Sequence, residues 1–217
     1  MRAKYTHGDK ELSMKKVSDL TPEEFQKTFP IVLKEHNADY AAWYEAEKAE
    51  LLRVINKTDI ARINHIGSSA IAGLVAKPIV DILLEIDGCC NVTNLQGNLK
   101  MLGFGDELET RAENPFRLLL TKGMSCDGFA EKVFFLHVRY LGDWNELYFR
   151  DYLLAHPEVA AEYGKLKLQI LRDIESGKIE RMPNGNPNGY SRAKLEFVER
   201  ISAAAKQEFA GRYRVGM

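Results

Sequence analysis

Residues Ile60 to Ile86 read IARINHIGSSAIAGLVAKPIVDILLEI, two apolar runs joined by a stretch of small residues. The second run, Ile79 to Ile86, is β-branched and leucine-rich and is interrupted only by Asp81 and Glu85. That is the composition of a central strand covered on both faces. The first run places apolar residues at 60, 63 and 66, an imperfect alternation that suits a neighbouring strand. Between the runs, Gly67, Ser68, Ser69 and Gly73 let the backbone turn tightly and aim amide N–H groups at an anion, and Lys77 adds a positive charge beside Pro78. A carboxylate inside a buried strand is costly to desolvate unless it is paired, hydrogen-bonded or bound to a metal. Asp81 therefore predicts a partner: an ion pair with Lys77 or Arg117 would serve, and so would a functional site. Glu85 lies about 13 Å further along the same strand face and reads as a strand-end surface charge.

Outward from this stretch, Met1 to Lys16 is charged and without periodicity, the pattern of a loose arm. Thr21-Pro22-Glu23-Glu24 combines an N-cap, a proline at the first helical position and a capping-box Glu, so a short helix is expected to about Phe29, ended by Pro30. Residues 1–30 thus read as an N-terminal extension with a short helix, and 31–217 as the main domain. Ile31 to Leu33 suits an edge strand, and Asn37 suits the cap of a helix carrying Tyr40, Trp43, Tyr44, Glu47, Leu51 and Val54 on one stripe. Asn94 to Leu102 has helical composition, with Gly103 as its C-cap. Phe116 to Thr121 and Val133 to Tyr140 predict an antiparallel strand pair. Asp143 is placed to cap a helix to Ala155, Pro157 to open another to about Glu175, and the Gly-, Pro- and Asn-rich 176–189 to form a long loop. A final helix opens at Gly189 or Ser191 and buries Leu195, Val198, Ile201 and Phe209. The predicted class is α/β (α+β): a mixed sheet centred on Ile79 to Ile86, with Ile60 to Ile66 and Val133 to Tyr140 as neighbours and helices chiefly on one face.

With 217 residues, 45% hydrophobic and 28% charged, the chain has the makings of one ordinary globular core. Its 30 basic and 31 acidic residues leave a net charge of -1, which excludes a general polyanion footprint while leaving room for a local basic pocket. No apolar run approaches a membrane span and the first residues are charged, so the expected address is cytoplasmic, without a membrane partner. Cys89, Cys90 and Cys126 form no C-x-x-C pair and read as reduced structural thiols.

A Gly-Ser turn at a strand end, followed by an acid inside an apolar strand, resembles the signature of the nucleotidyltransferase superfamily. The fuller string, His65 to Ser69 (HIGSS) with Ile71 to Glu85 (IAGLVAKPIVDILLE), resembles the signature stretch of the GrpB (glutamate-rich protein, UPF0157) family, whose members are similar to nucleotidyltransferases in fold. The likeness extends through NADYAAWYEAEKAELL (Asn37 to Leu52), RLLLTKG (Arg117 to Gly123), FLHV (Phe135 to Val138), FRDYLLAHPEVAAEY (Phe149 to Tyr163) and YSRAKLEFV (Tyr190 to Val198). The resemblance implies a nucleotidyltransferase-like sheet that binds a nucleoside triphosphate, or another phosphorylated small molecule, with Mg²⁺ and passes a nucleotidyl group to an acceptor. It puts Gly67, Ser68 and Lys77 on phosphates, Asp81 with His137 at the metal, and Tyr190 with Lys194 in a phosphate clamp.

Read on their own, the same residues leave blander alternatives open: a plain Gly-Ser turn, a hydrogen-bonded strand histidine, and a Tyr190–Lys194 pair on an amphipathic rim. Arg117 and Arg139 read either as edge charges or as anion contacts. One departure bears on turnover, because active nucleotidyltransferases carry a second acid two residues after the first and Leu83 stands there. That departure points to the alternative of a catalytically reduced protein which keeps the fold and the anion pocket without turnover.

Overall fold

The computed structural model describes residues 16–111, 116–183 and 189–215; the loose arm expected at the N-terminus lies outside these apart from its last residue. The elements run α1 (Pro22–Thr28), α2 (Tyr40–Val54), β1 (Ile60–Ile66), β2 (Val80–Ile86), α3 (Val92–Met101), β3 (Asp106–Arg111), β4 (Arg117–Ser125), β5 (Gly128–Tyr140), α4 (Asn145–Ala155), α5 (Pro157–Glu175), α6 (Gly189–Ala193) and α7 (Leu195–Glu208). The strands form a mixed sheet in the order β1-β2-β5-β4-β3, in which β2 and β5 pair in parallel and the other neighbours are antiparallel. The α+β class and the neighbours expected for Ile79 to Ile86 are therefore found.

The period of two along β2 divides the molecule. Val80, Ile82, Leu84 and Ile86 join Phe134, Leu136 and Val138 of β5 and Leu118 and Leu120 of β4 in the main core, under Tyr40, Tyr44 and Leu51 of α2 and Leu95 and Leu99 of α3. Each such side chain withdrawn from water contributes about 1.5–3 kcal/mol, enough in sum to hold β2 central in spite of its two acids. On the other face Leu83, itself fully buried, meets Ile66 and Leu147 of α4. A second helical layer is glued by Ile71, Leu74, Leu153, Tyr163, Phe197 and Ile201. Its C-terminal end is latched to β1. The Tyr213 hydroxyl donates to Asp151 at 2.6 Å, and Arg150 donates to that hydroxyl at 3.0 Å and to the His65 carbonyl at 3.0 Å.

Several local expectations change. Ile31 to Leu33 forms no strand; the chain there contributes one isolated bridge, Lys34 with Ala76. Asp39, not Asn37, is the N-cap of α2, because the Asn37 Oδ1 accepts from the Asp39 N–H in a local turn at 2.9 Å. Trp144 rather than Asp143 caps α4, held by its indole donating to the Tyr140 carbonyl at 3.0 Å. The final helix is broken in two, with Lys194 at the N-cap of α7. Strand β3 was not expected, since DELETR is poor in strand formers, and pairing with β4 overrides that preference.

Glu85 is the largest correction. It is not a surface charge: its side chain is fully buried, because the antiparallel register places Arg62 of β1 opposite it. The guanidinium grips it bidentately at 2.6 and 2.9 Å, and the Gly142 N–H donates to it at 3.1 Å. Arg139 is likewise no anion contact; it pairs with Glu146 at 2.7 Å. Removing one partner of such a pair leaves the other charge uncompensated, so Glu85→Ala is expected to destabilise the protein by about 3 kcal/mol, read as a lowered urea midpoint at pH 7. A loss below about 0.5 kcal/mol would show that the pair is not structurally important.

Candidate functional site

Where β1 ends and β2 begins, Gly67 takes φ +71, a conformation that a residue with a Cβ adopts only under strain. The space for that Cβ is also filled, since it would lie 2.5 Å from the Asp81 Oδ2. Gly67 is therefore the seat of the Asp81 carboxylate. The partner that Asp81 requires is His137, whose Nε2 is 3.1 Å from its Oδ1; the parallel pairing of β2 with β5 sets Asp81 beside Phe135 and Leu83 beside His137, so the contact is diagonal. Both side chains remain partly open, at 28% and 22% exposure, onto a cavity of about 260 Å³.

Ser68, Lys77, Asp81, His137, Tyr190 and Lys194 all line that cavity, with Gly67 directly behind Asp81, so the residues singled out in the sequence are brought together. Tyr190 is buried, with two ammonium groups against its ring: Lys77 Nζ lies 4.8 Å and Lys194 Nζ 4.5 Å from the centroid. The Tyr190 hydroxyl is buried and has no hydrogen-bond partner among the described residues. The rim reading thus gives way for Tyr190, which is buried, while Lys194 stays half-buried on the cavity wall.

Sequence reasoning missed Lys167. This side chain is 2% exposed, lines the same cavity, and directs its ammonium group to the Ser68 Oγ at 2.9 Å and to the Val75 carbonyl, over the ring of Tyr163. The signal was present, because Ala160, Tyr163, Gly164, Lys167 and Ile170 form the buried stripe of α5 and a lysine occupies one of its positions. Ser68 is therefore engaged as an acceptor by Lys167, which leaves its own O–H to donate elsewhere.

Three lysines around one carboxylate make the site electrostatically crowded. Burial, reinforced by Lys194, brings Lys167 down to about 7. Burial and then Lys77, opposed by Asp81, bring Lys194 down to about 8. Burial also lowers Lys77 and raises Tyr190 and Tyr163. A multiply charged anion would relieve this crowding, which suits phosphates.

A divalent metal held by the protein alone does not fit. No group of three His, Cys, Asp or Glu side chains among the described residues is placed to hold one, and Mg²⁺ needs a near-octahedral set of oxygens. The second-acid position is closed as well as apolar, because Leu83 is sealed against Leu147.

The family model described as "GrpB protein" matches residues 30–204. The chain is 32% identical over 174 residues to a glutamate-rich protein GrpB of Alkalihalophilus pseudofirmus, covering 79% of this chain and 93% of that one. It is 29% identical over 180 residues to the UPF0157 protein YqkA of Bacillus subtilis, covering 82% of this chain and 48% of that longer protein. The crystal structure of conserved protein GrpB from Enterococcus faecalis shares the fold, with a TM-score of 0.65 at 23% identity over 82% of this chain and 99% of that one.

The two desolvated lysines, Lys167 and the half-buried Lys194, predict a stability profile. Lys167 and Lys194 titrate near 7 and 8 in the folded protein against 10.5 when free, so the unfolded chain binds more protons between these values and stability rises with pH across that window. Below about pH 7 both are charged in both states and add no slope. The urea midpoint is expected to climb from pH 7 to 9.5, and to climb less in Lys194→Met. An equal climb in that variant would mean that Lys194 is solvated.

Proposed function

Since the chain belongs to the GrpB family and its pocket sets three lysines, Lys167 buried and Lys77 and Lys194 half-buried, around one carboxylate, we propose that it binds a phosphorylated small molecule there, a nucleoside triphosphate in the first instance. Lys77 and Lys194 supply the charge for the phosphates, and Gly67 and Ser68 shape the turn that carries them. The observation that carries the reading is the Tyr190 hydroxyl, buried without a partner among the described residues on a ring that both Lys77 and Lys194 approach, since a buried polar group left unmatched by protein points to a ligand. The resemblance to nucleotidyltransferases narrows the anion to a nucleotide. In this reading Mg²⁺ enters as the counter-ion of the triphosphate, and Asp81 with His137 faces it as a single carboxylate and its imidazole. No helix among the described residues is long and apolar enough to cross a membrane, and a phosphorylated metabolite suits the cytoplasmic address inferred from the sequence.

Between transfer and binding, Leu83 favours binding. Two-metal transfer needs carboxylates that grip a metal pair; Glu85 is consumed by Arg62 and position 83 is roofed by α4. Calorimetric titration at pH 8 with ATP and with inorganic pyrophosphate, each with and without Mg²⁺, tests the reading. Binding in the micromolar range is expected, weakened at least tenfold, about 1.4 kcal/mol, by Lys77→Met or Lys194→Met. Proton uptake is expected too, seen as a dependence of the heat on the buffer, because the anion raises the lysines it meets. Mg²⁺ alone should bind weakly. Binding that both variants retain in full, or none at all, would dismiss the site.

A further inference from the structure

Lys167 and Ser68 form a pair that anion binding does not require. The Lys167 Nζ is 2.9 Å from the Ser68 Oγ, is pinned on its other side by the Val75 carbonyl, and lies over the Tyr163 ring at 4.8 Å, so it is oriented from two directions and shielded from water. Ser68 follows the positive φ of Gly67 at the end of β1, a strand-to-turn position on the cavity wall. A lysine and a serine in hydrogen-bond contact, with the lysine fixed by a third group, is the geometry of a nucleophile and its base.

We propose that Ser68 is a nucleophile activated by Lys167, and that the pair cleaves a carboxylic ester carrying a phosphate group, whose phosphate lies on Lys77 and Lys194. The substrate class rests on the anion-binding reading above; the Ser68–Lys167 pair does not. With Lys167 near 7 a large fraction of the amine is neutral at pH 8. A neutral amine donates to the Val75 carbonyl and accepts from the Ser68 O–H along the same 2.9 Å line. The Ser68 Oγ attacks the acyl carbon and its proton passes to the Lys167 Nζ. The ester C–O bond breaks as that proton is handed to the leaving alkoxide; water, deprotonated by Lys167, then attacks the acyl carbon, the acyl–Oγ bond breaks, and Lys167 returns the proton to the Ser68 Oγ as the acid leaves. Of the charged and titratable groups nearby, Lys194 opposes protonation of Lys167, Lys77 opposes that of Lys194, Asp81 favours protonation of Lys77 and Lys194, and Tyr163 and Tyr190 are neutral phenols.

An uncharged fluorophosphonate tests the pair independently of the phosphate site. Its phosphorus bonds to the serine oxygen, fluoride leaves, and the proton goes to the lysine. The full chain is expected to gain one adduct, mapped to Ser68 by peptide mass spectrometry, at a rate that rises with pH through about 7. Ser68→Ala should abolish it. Lys167→Arg, which keeps the positive charge but is no base at this pH, should slow labelling on the order of 10²-fold, with circular dichroism confirming that both variants fold. No adduct on the folded native protein, or labelling at Ser68 that Lys167→Arg leaves undiminished, overturns the pair. Inorganic pyrophosphate should protect Ser68. Labelling without protection, beside calorimetry that shows pyrophosphate bound, overturns the phosphate-bearing substrate while the pair stands; calorimetry that shows none bound traces the failure to the anion-binding reading instead.

Discussion

The contact between the Asp81 carboxylate and the backbone of Gly67 constrains everything around it. An acid near the start of a covered strand must be accommodated, and here it is accommodated by removing a side chain from the neighbouring strand end and bending the backbone to φ +71. That bend sends the chain into the short helical turn at Ser68–Ala70 and fixes the mouth of the cavity. Because β2 is antiparallel to β1 on one side and parallel to β5 on the other, the same carboxylate joins the glycine-serine turn to the histidine strand.

The two acids of β2 show how environment divides identical chemistry. Glu85 meets a bidentate arginine and a backbone amide and is closed off completely. Asp81 meets a single imidazole and is left partly open. Leu83 between them, pressed against Leu147, separates a carboxylate that serves the fold from one that faces a cavity. The price of placing charge in a strand interior is thus met in two ways within one element: by full pairing, and by leaving the group access to water.

Much of this was legible in the sequence, and what was not has physical reasons. The run Ile79 to Ile86 announces a central strand because only a strand covered on both faces tolerates so much apolar surface, and the need of Asp81 for a partner follows from desolvation alone. The fate of Glu85 was illegible because distance along a strand says nothing about the residue across it; Arg62 becomes its neighbour only through the register. Lys167 was passed over because helix lysines are commonly solvated, although its position on the stripe of Tyr163 and Ile170 marks it. Asn37 has the chemistry of a cap, but it spends its side chain on a turn one step earlier. The gathering of Ser68, Lys77, His137 and Lys194 into one cavity depends on long-range topology, which motif likeness suggests and only the fold displays.

The latch at Tyr213 has a bearing on where the molecule ends. Likeness to the family stops at residue 204, yet the hydroxyl that engages Asp151 and Arg150 lies beyond it, and Arg150 passes the connection to the carbonyl of His65, beside the turn at Gly67. Kinship and folding therefore have different borders in this chain. A fragment excised at residue 204 would leave Arg150 without the phenol that braces it, so the border that matters for the cavity lies beyond the one the family model draws.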